Sequence, residues 1–248
     1  MKFWAGDHQV AVSIDGWPAL ERALRARFAA GEGFALATLN LDHLAKLRVP
    51  GPFRAAYDAQ DLVTADGNPI VWCSRLAGQP VDLLPGSDMI LPICRIAAEM
   101  NVPLGLVGST DSSLAGAADA LEALVPGLHV AARIAPPMGF DPEGAAADEI
   151  LRNLSATGVG LCFLALGAPK QEMLAARGRQ IAPEIGFASI GAGLDFLSGQ
   201  QTRAPAWVRR LALEWLWRLL GSPRRMAARY GMAFRDLPGH LWRSWRMR

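Results

Sequence analysis

Several kinds of site are missing from this chain of 248 residues. Its three cysteines, Cys73, Cys94 and Cys162, lie far apart inside apolar stretches. No CxxC or Cys/His ligand spacing occurs, so reduced core thiols of a cytosolic protein are the expected state. The four histidines (His8, His43, His129, His240) also lack ligand spacing, and His43 reads as a helix-surface or core residue rather than a catalyst. There is no Asp-x-Asp pair, which removes the usual signature of a metal-dependent nucleotide-sugar site. The absence of G-x-x-x-x-G-K-[ST] excludes a P-loop. Met1–His8 has no apolar h-region of a signal peptide, and no run of 18 apolar residues could span a bilayer as one helix. Repeats and low-complexity segments are absent as well.

What is present is a hydrophobic content of 51% with 25 Gly and 17 Pro, suited to a globular α/β protein with a sizeable core. Strand patterns at Val10–Ile14, Phe34–Leu39, Leu62–Thr64, Leu104–Val107, Leu128–Ile134, Val159–Leu166 and Phe187–Ile190 recur along the chain. Helical patterns separate most of them: Asp42–Leu47, Phe53–Ala59, Pro69–Leu76, Asp88–Met100, Ser112–Leu124, Pro142–Ser155 and Gln171–Gln180. The alternation predicts βαβ units and a Rossmann-like, mainly parallel sheet with flanking helices. Strand signals stop after Gly199. Residues 1–200 therefore read as a Rossmann-like domain and 201–248 as a helical appendage, with helices at Pro205–Leu220, Pro223–Tyr230 and Leu237–Met247.

The run Leu161–Leu166 has the continuous apolarity of a strand buried on both faces, and it ends at Gly167. Pro169 then suits the first turn of a helix carrying Lys170, Gln171 and Glu172. Free N–H groups at such a terminus, with an ammonium nearby, make a natural phosphate site; a plain turn with a solvated lysine is the alternative. Other strand ends carry Thr38, Asn40, Asp42 and His43, then Asp66, Gly67 and Asn68, then Gly191, Gly193 and Asp195. Parallel strands end on one side of their sheet, so these groups could converge in one cleft with Lys170 and Gln171. Asp66 could be a general base there, although Asp66-Gly67-Asn68-Pro69 also has the composition of a turn and helix cap. Gly191-Ala-Gly193 starts like a dinucleotide fingerprint but lacks its third glycine, which weakens a nucleotide-dependent oxidoreductase as an alternative.

The net charge of +2 hides an asymmetry. From Arg203 to Arg248 there are 11 Arg and no Lys against Glu214 and Asp236, with Trp207, Trp215, Trp217, Trp242 and Trp245 among them. Arg210, Glu214 and Arg218 form one charged line at i, i+4 and i+8, while most neighbouring positions are apolar. Such helices suit an anionic bilayer surface, where each Arg contributes on the order of 1 kcal/mol. Nucleic-acid binding and a helical subdomain with a solvated basic face are the competing readings. A non-catalytic adaptor using only this tail is the corresponding functional alternative.

Taken in order, Thr38-Leu-Asn40, Ala65-Asp66-Gly67, Ser74-Arg75 with Gly78, Gly86-Ser-Asp88, Gly167-Ala-Pro-Lys-Gln-Glu172 and Arg203-Ala-Pro-Ala-Trp207 resemble blocks of the WecG/TagA/CpsF family of bacterial glycosyltransferases. Leu213-Glu214-Trp215-Leu-Trp-Arg218, Pro223-Arg-Arg225 and Arg229-Tyr230 continue the resemblance, which covers residues 10 to 230 or so. It implies an inverting, metal-independent transfer of a sugar from a UDP-sugar to a polyprenyl-diphosphate-linked saccharide. No cofactor and no nucleic-acid partner are expected, and the place of action is the cytoplasmic face of the inner membrane, held peripherally. By position, Asp66 would be the general base, with Thr38, Asn40, Gly67 and Asn68 in its pocket. Gly167, Lys170, Gln171 and Glu172 would serve the nucleotide diphosphate, with Asp195 nearby. Arg203, Arg218 and Arg225 would bring the tail to the diphosphate groups. Many relatives carry Arg where this chain has Leu83, a role that Arg75 could take over; the donor sugar is left open among N-acetylmannosamine, its uronic acid, glucose and glucuronic acid.

Overall fold

A computed structural model describes residues 1–200, 205, 208, 214–221 and 223–248; within the two last helices, side chains are described at 216, 217, 219, 220, 231 and 235–248. Six parallel strands form the sheet: β3 (Phe34–Leu39), β4 (Leu62–Ala65), β5 (Leu104–Gly108), β6 (Val130–Ile134), β7 (Leu161–Ala165) and β8 (Gly186–Ser189), in the order β4-β3-β8-β7-β5-β6. The Rossmann-like α/β class read from the alternating pattern is the observed one.

Its helices are α1 (Trp17–Ala30), α2 (Leu41–Lys46), α3 (Pro52–Asp58), α4 (Asn68–Leu76), α5 (Gly86–Glu99), α6 (Asp111–Leu124), α7 (Ala145–Ala156), α8 (Lys170–Ile181) and α9 (Gly193–Leu197). Side chains alternate across the central strands with period two. Leu161 and Phe163 face the cluster holding Leu20, Ile93 and Leu121 of α1, α5 and α6. Cys162 and Leu164 face the cluster of Leu151 and Leu174 from α7 and α8. A third cluster joins Leu39 and Val63 to Leu44, Tyr57 and Ile70 of α2, α3 and α4. Both faces of the sheet are thus covered, which is why its inner strands read as largely apolar runs.

Two departures from the sequence pattern stand near the N-terminus. The strand expected at Val10–Ile14 runs instead over His8–Ala11 (β2) and pairs antiparallel with Lys2–Ala5 (β1), outside the main sheet. Helix α1 fills a stretch in which no helical period was read. Pro18 near its start, buried Leu20 and Leu24 one turn apart, and a left-handed Gly31 at its end explain it.

After the sheet come α10 (Glu214–Gly221) and α11 (Pro223–Arg246). The two helices expected at Pro223–Tyr230 and Leu237–Met247 are one, continuous through Pro238. A proline inside a helix removes one backbone bond, and here packing outweighs that loss. His240 and Ser244 are buried, and Leu241 packs against the α2–α4 cluster. The helix expected at Pro205–Leu220 falls largely outside the described residues.

Candidate active site

The carboxyl ends of β4, β3, β8, β7 and β5 lie side by side, and the loops leaving them build one edge of the molecule. Neighbours β5 and β7 send their chains to opposite sides, β5 to β6 and β7 to β8. Such a switch point opens a crevice at the strand ends. Backbone approach is close there: a Cβ on Gly108, whose φ is 123°, would lie 2.5 Å from the Ala165 carbonyl oxygen. Gly167 (φ 71°) and Gly191 (φ 60°) turn the chain out of β7 and β8 in the left-handed region that glycine tolerates.

Asp66 follows β4 directly, and its N–H continues the ladder by donating to Leu39 O at 2.8 Å. Its Oδ2 accepts from Asn40 Nδ2 at 3.1 Å. Asn40 is oriented by its other end, where Oδ1 caps α2 by accepting from His43 N at 3.0 Å. The stretch Asp66–Pro69 is a turn into a helix, as its composition suggested: Gly67, at φ 98°, is the N-cap of α4, and among the described residues no first-turn N–H of that helix donates to the Asp66 carboxylate. Half-buried Asp66 is therefore a carboxylate held by one amide at a strand end, with Asn68 beginning the helix behind it.

Thr38 is buried on β3, beside Thr64 of β4. Its carbonyl accepts from Tyr57 Oη at 2.8 Å and lies 2.6 Å from His43 Nδ1. His43 is thus a core residue, as its pattern suggested. The Tyr57 phenol is pushed well above its ordinary pKa by burial first, then by the negative charges of Glu172 and Asp66.

The β7–α8 loop is held from several sides. Lys46 Nζ, bound to Asp42 at 2.8 Å, donates to Ala168 O at 3.2 Å, so the loops after β3 and β7 meet across β8. Gln171 is buried, and its Oε1 accepts from Gly167 N at 3.2 Å and Gly191 N at 3.1 Å. Its Nε2 donates to Glu172 Oε1 at 2.8 Å, and that oxygen stands 4.0 Å from His43 Nε2. Gln171 and Glu172 therefore lie beneath the loop as braces, a different place from the ligand-facing one their motif implied. Half-buried Lys170 donates to Phe140 O at 2.7 Å, which draws the β6–α7 loop to the start of α8.

Asp195, on α9, accepts at Oδ1 from Ser109 Oγ at 2.5 Å and Ser113 Oγ at 2.8 Å. The two serines were not singled out in the sequence. Ser109 adopts φ 51°, uncommon for a side-chain-bearing residue, directly at the end of β5. Gly86 of the Gly-x-Asp block also has a reason: a Cβ there would meet Ile190 Cα at 2.9 Å, where α5 starts against the end of β8.

Leu83 forms a parallel bridge with Ala65, the residue before Asp66, and is 39% exposed. Arg75 lies exposed in the last turn of α4, next to Ser74, whose Oγ accepts from Val81 N at 3.1 Å. Arg203 lies outside the described residues. Arg218 and Arg225 lie on α10 and α11, but their side chains are outside the description. Among the described residues, no three His, Cys, Asp or Glu side chains group so as to hold a metal ion, and no helix is long and apolar enough to cross a membrane.

The model of the glycosyl transferase WecG/TagA/CpsF family matches this chain over residues 9–248. The chain belongs to that family. It is also 27% identical over 176 residues, 70% of its length, to the N-acetylglucosaminyldiphosphoundecaprenol N-acetyl-β-D-mannosaminyltransferase of Bacillus spizizenii. It spans 65% of that relative's length.

Proposed function

We propose that this family member transfers a sugar from a UDP-sugar to a polyprenyl-diphosphate-linked saccharide in the synthesis of a bacterial envelope or exported polysaccharide, with inversion and without a metal ion. The relative's name, which specifies a diphosphoundecaprenol-linked N-acetylglucosamine acceptor and an N-acetylmannosaminyl group, supports the acceptor class. The observation that carries the reading is the Asn40–Asp66 pair at the strand ends.

In this account Asp66 removes the proton from an acceptor hydroxyl as that oxygen attacks the anomeric carbon, and UDP leaves from the opposite face. Asn40 keeps the carboxylate aimed. UDP leaves as an anion; the α8 N-terminus and Lys170, on loops braced by Gln171, supply positive potential near the leaving group. Asp66 and Gly167 are separated by three strand spacings, roughly 14 Å, so one extended substrate can reach both.

An acceptor on a polyprenyl chain places the enzyme at a membrane surface, peripherally and on the cytoplasmic face where UDP-sugars are found. Trp217 and Leu220 on α10, and Trp242 and Trp245 on α11, are exposed apolar side chains of the kind that enter an interface. The test is release of UDP by the purified protein across a panel of UDP-sugars, with a short-chain polyprenyl-diphosphate acceptor and EDTA present. Release that requires both substrates and survives EDTA supports the reading. If instead the folded protein fails to bind UDP, the reading is wrong.

A further inference from the structure

One face of the protein takes no part in the chemistry above and is built from both chain termini. His240, Leu241 and Ser244 form the inward stripe of α11, which leaves Trp242, Trp245 and Arg246 on its outer side. Trp242 and Trp245 are 56% and 60% exposed, and Trp4 on β1 is 38% exposed. Trp4, Trp242 and Met247 line a groove of about 430 Å³ with Arg243 and Arg246 on its wall. Arg243 also borders a smaller pocket of about 150 Å³, shared with Arg48, Arg235 and His240. Arg243 lines both spaces, and the Arg48 stem runs beside the hairpin turn at Gly6.

The charge inventory of this face is one-sided. Arg48, Arg235, Arg243 and Arg246 stand against Asp236. Asp236 pairs with Arg48 Nη1 at 2.9 Å and with Arg235 Nε at 3.3 Å. Arg48 Nε and Asp236 Oδ2 are both buried, and neither has a hydrogen-bond partner among the described residues. Burial, and then the charges of Arg48 and Arg243 against the weaker opposing effect of Asp236, hold His240 below its ordinary pKa. Arg246 stacks over the Trp242 ring at 4.9 Å. Four guanidinium groups against one carboxylate favour an anion with several acceptor oxygens. The apolar groove that shares Arg243 favours a ligand whose anion is joined to hydrocarbon.

We propose that these two spaces, with Arg243 on the wall of each, bind one anionic phospholipid, with its phosphate among Arg48, Arg235 and Arg243 and its glycerol-acyl end along the Trp4–Trp242–Met247 groove. The proposal rests on the membrane-surface reading above and adds a defined lipid site to which the N-terminal hairpin contributes Trp4 and Gly6. A diffuse cationic tail would need neither Trp4 nor Arg48.

The test is binding of the full chain, without substrates, to phosphatidylcholine vesicles with and without phosphatidylglycerol. A diffuse charge effect weakens binding about fivefold for each arginine neutralised. Arg248→Gln, at the helix end outside the pocket, measures that baseline. The site predicts that Arg243→Gln and Arg48→Gln each lose twentyfold or more, and that Trp4→Ser loses fivefold or more with no change of charge. Thermal melting confirms that each variant is folded; should Arg48→Gln unfold, Arg243→Gln and Trp4→Ser decide alone. Equal losses for Arg243→Gln and Arg248→Gln, with Trp4→Ser unchanged, would overturn the site. In a second arm, the Arg48 and Arg243 Nε resonances are followed while dihexanoyl-phosphatidylglycerol or inorganic phosphate is added. Saturable shifts at much lower concentrations of the lipid support it, whereas equal response to phosphate makes the pocket a free-phosphate site and removes the lipid. Because neither arm uses sugar transfer, its failure is distinct from failure of the transferase reading.

Discussion

Asn40 Nδ2 lies 3.1 Å from Asp66 Oδ2 while Asn40 Oδ1 caps α2. One side chain thus ties the end of β3, the start of α2 and the proposed base together, and its two roles can be separated by substitution. Asn40→Ala loses the cap, which costs about 1 kcal/mol of stability, and frees the Asp66 carboxylate. Asn40→Asp can keep a cap but sets a second carboxylate against Asp66. Like charges raise the carboxylate pKa. The acid limb of the pH–rate profile in Asn40→Asp is therefore expected to move to higher pH, with melting little changed. A profile that stays in place would remove Asn40 as the orienting partner.

Gln171 holds the β7 and β8 loops through Gly167 N and Gly191 N. Gln171→Ala leaves both donors without that acceptor and loosens the loops assigned to the nucleotide. Weaker UDP binding by calorimetry, tenfold or more, is expected, together with a modest loss of melting temperature. Binding that stays unchanged would show that the brace does not serve the nucleotide.

Gly86 has no room for a side chain against Ile190 Cα, and both contacting groups are backbone-fixed. Gly86→Ala forces α5 away from the end of β8, where the crevice loops start. A loss of about 1–3 kcal/mol, read by denaturant unfolding, is expected from such overpacking.

How much of this was legible in the sequence differs between the sheet and the site. The strands from Phe34 to Ser189, the edge strand β6 apart, were readable because burial on both faces makes them largely apolar runs. Asp66 and Asn40 were both visible as polar residues at strand ends, but a hydrogen bond between residues 26 apart in sequence depends on β3 pairing with β4. Burial of Gln171 and Glu172 was not legible: the motif marks their place at a helix start, and only packing decides which way they point. Ser109 carried one weak signal, its place directly after Gly108 at a strand end. The strands of the hairpin lie outside the main sheet and are too short to show a period, whereas α1 did carry a signal in Leu20, Leu24 and Phe28 at four-residue spacing. Continuity of α11 through Pro238 depends on its packing against α2 and α4, which proline statistics do not include.

His240 offers a pH test of how α11 is seated. Burial, Arg48 and Arg243 hold its pKa below the ordinary value of 6.5. A group depressed in the folded state takes up protons more readily when unfolded, so stability is full above the ordinary histidine range and is lost as pH falls through it. The melting temperature of the wild type should fall between about pH 7 and 5, and His240→Gln should flatten that part of the dependence. An identical slope in both proteins would assign the loss to other groups.

The most direct test of the central claim compares Asp66→Asn with wild type, measuring sugar transfer and UDP affinity on the same preparations. Loss of a general base costs typically about 10²–10⁴-fold in rate. The account predicts a fall of that size with UDP affinity and melting unchanged, because Asp66 lies three strands from the nucleotide loops. Transfer by Asp66→Asn at a rate near that of the wild type would contradict the assignment of Asp66 as the base.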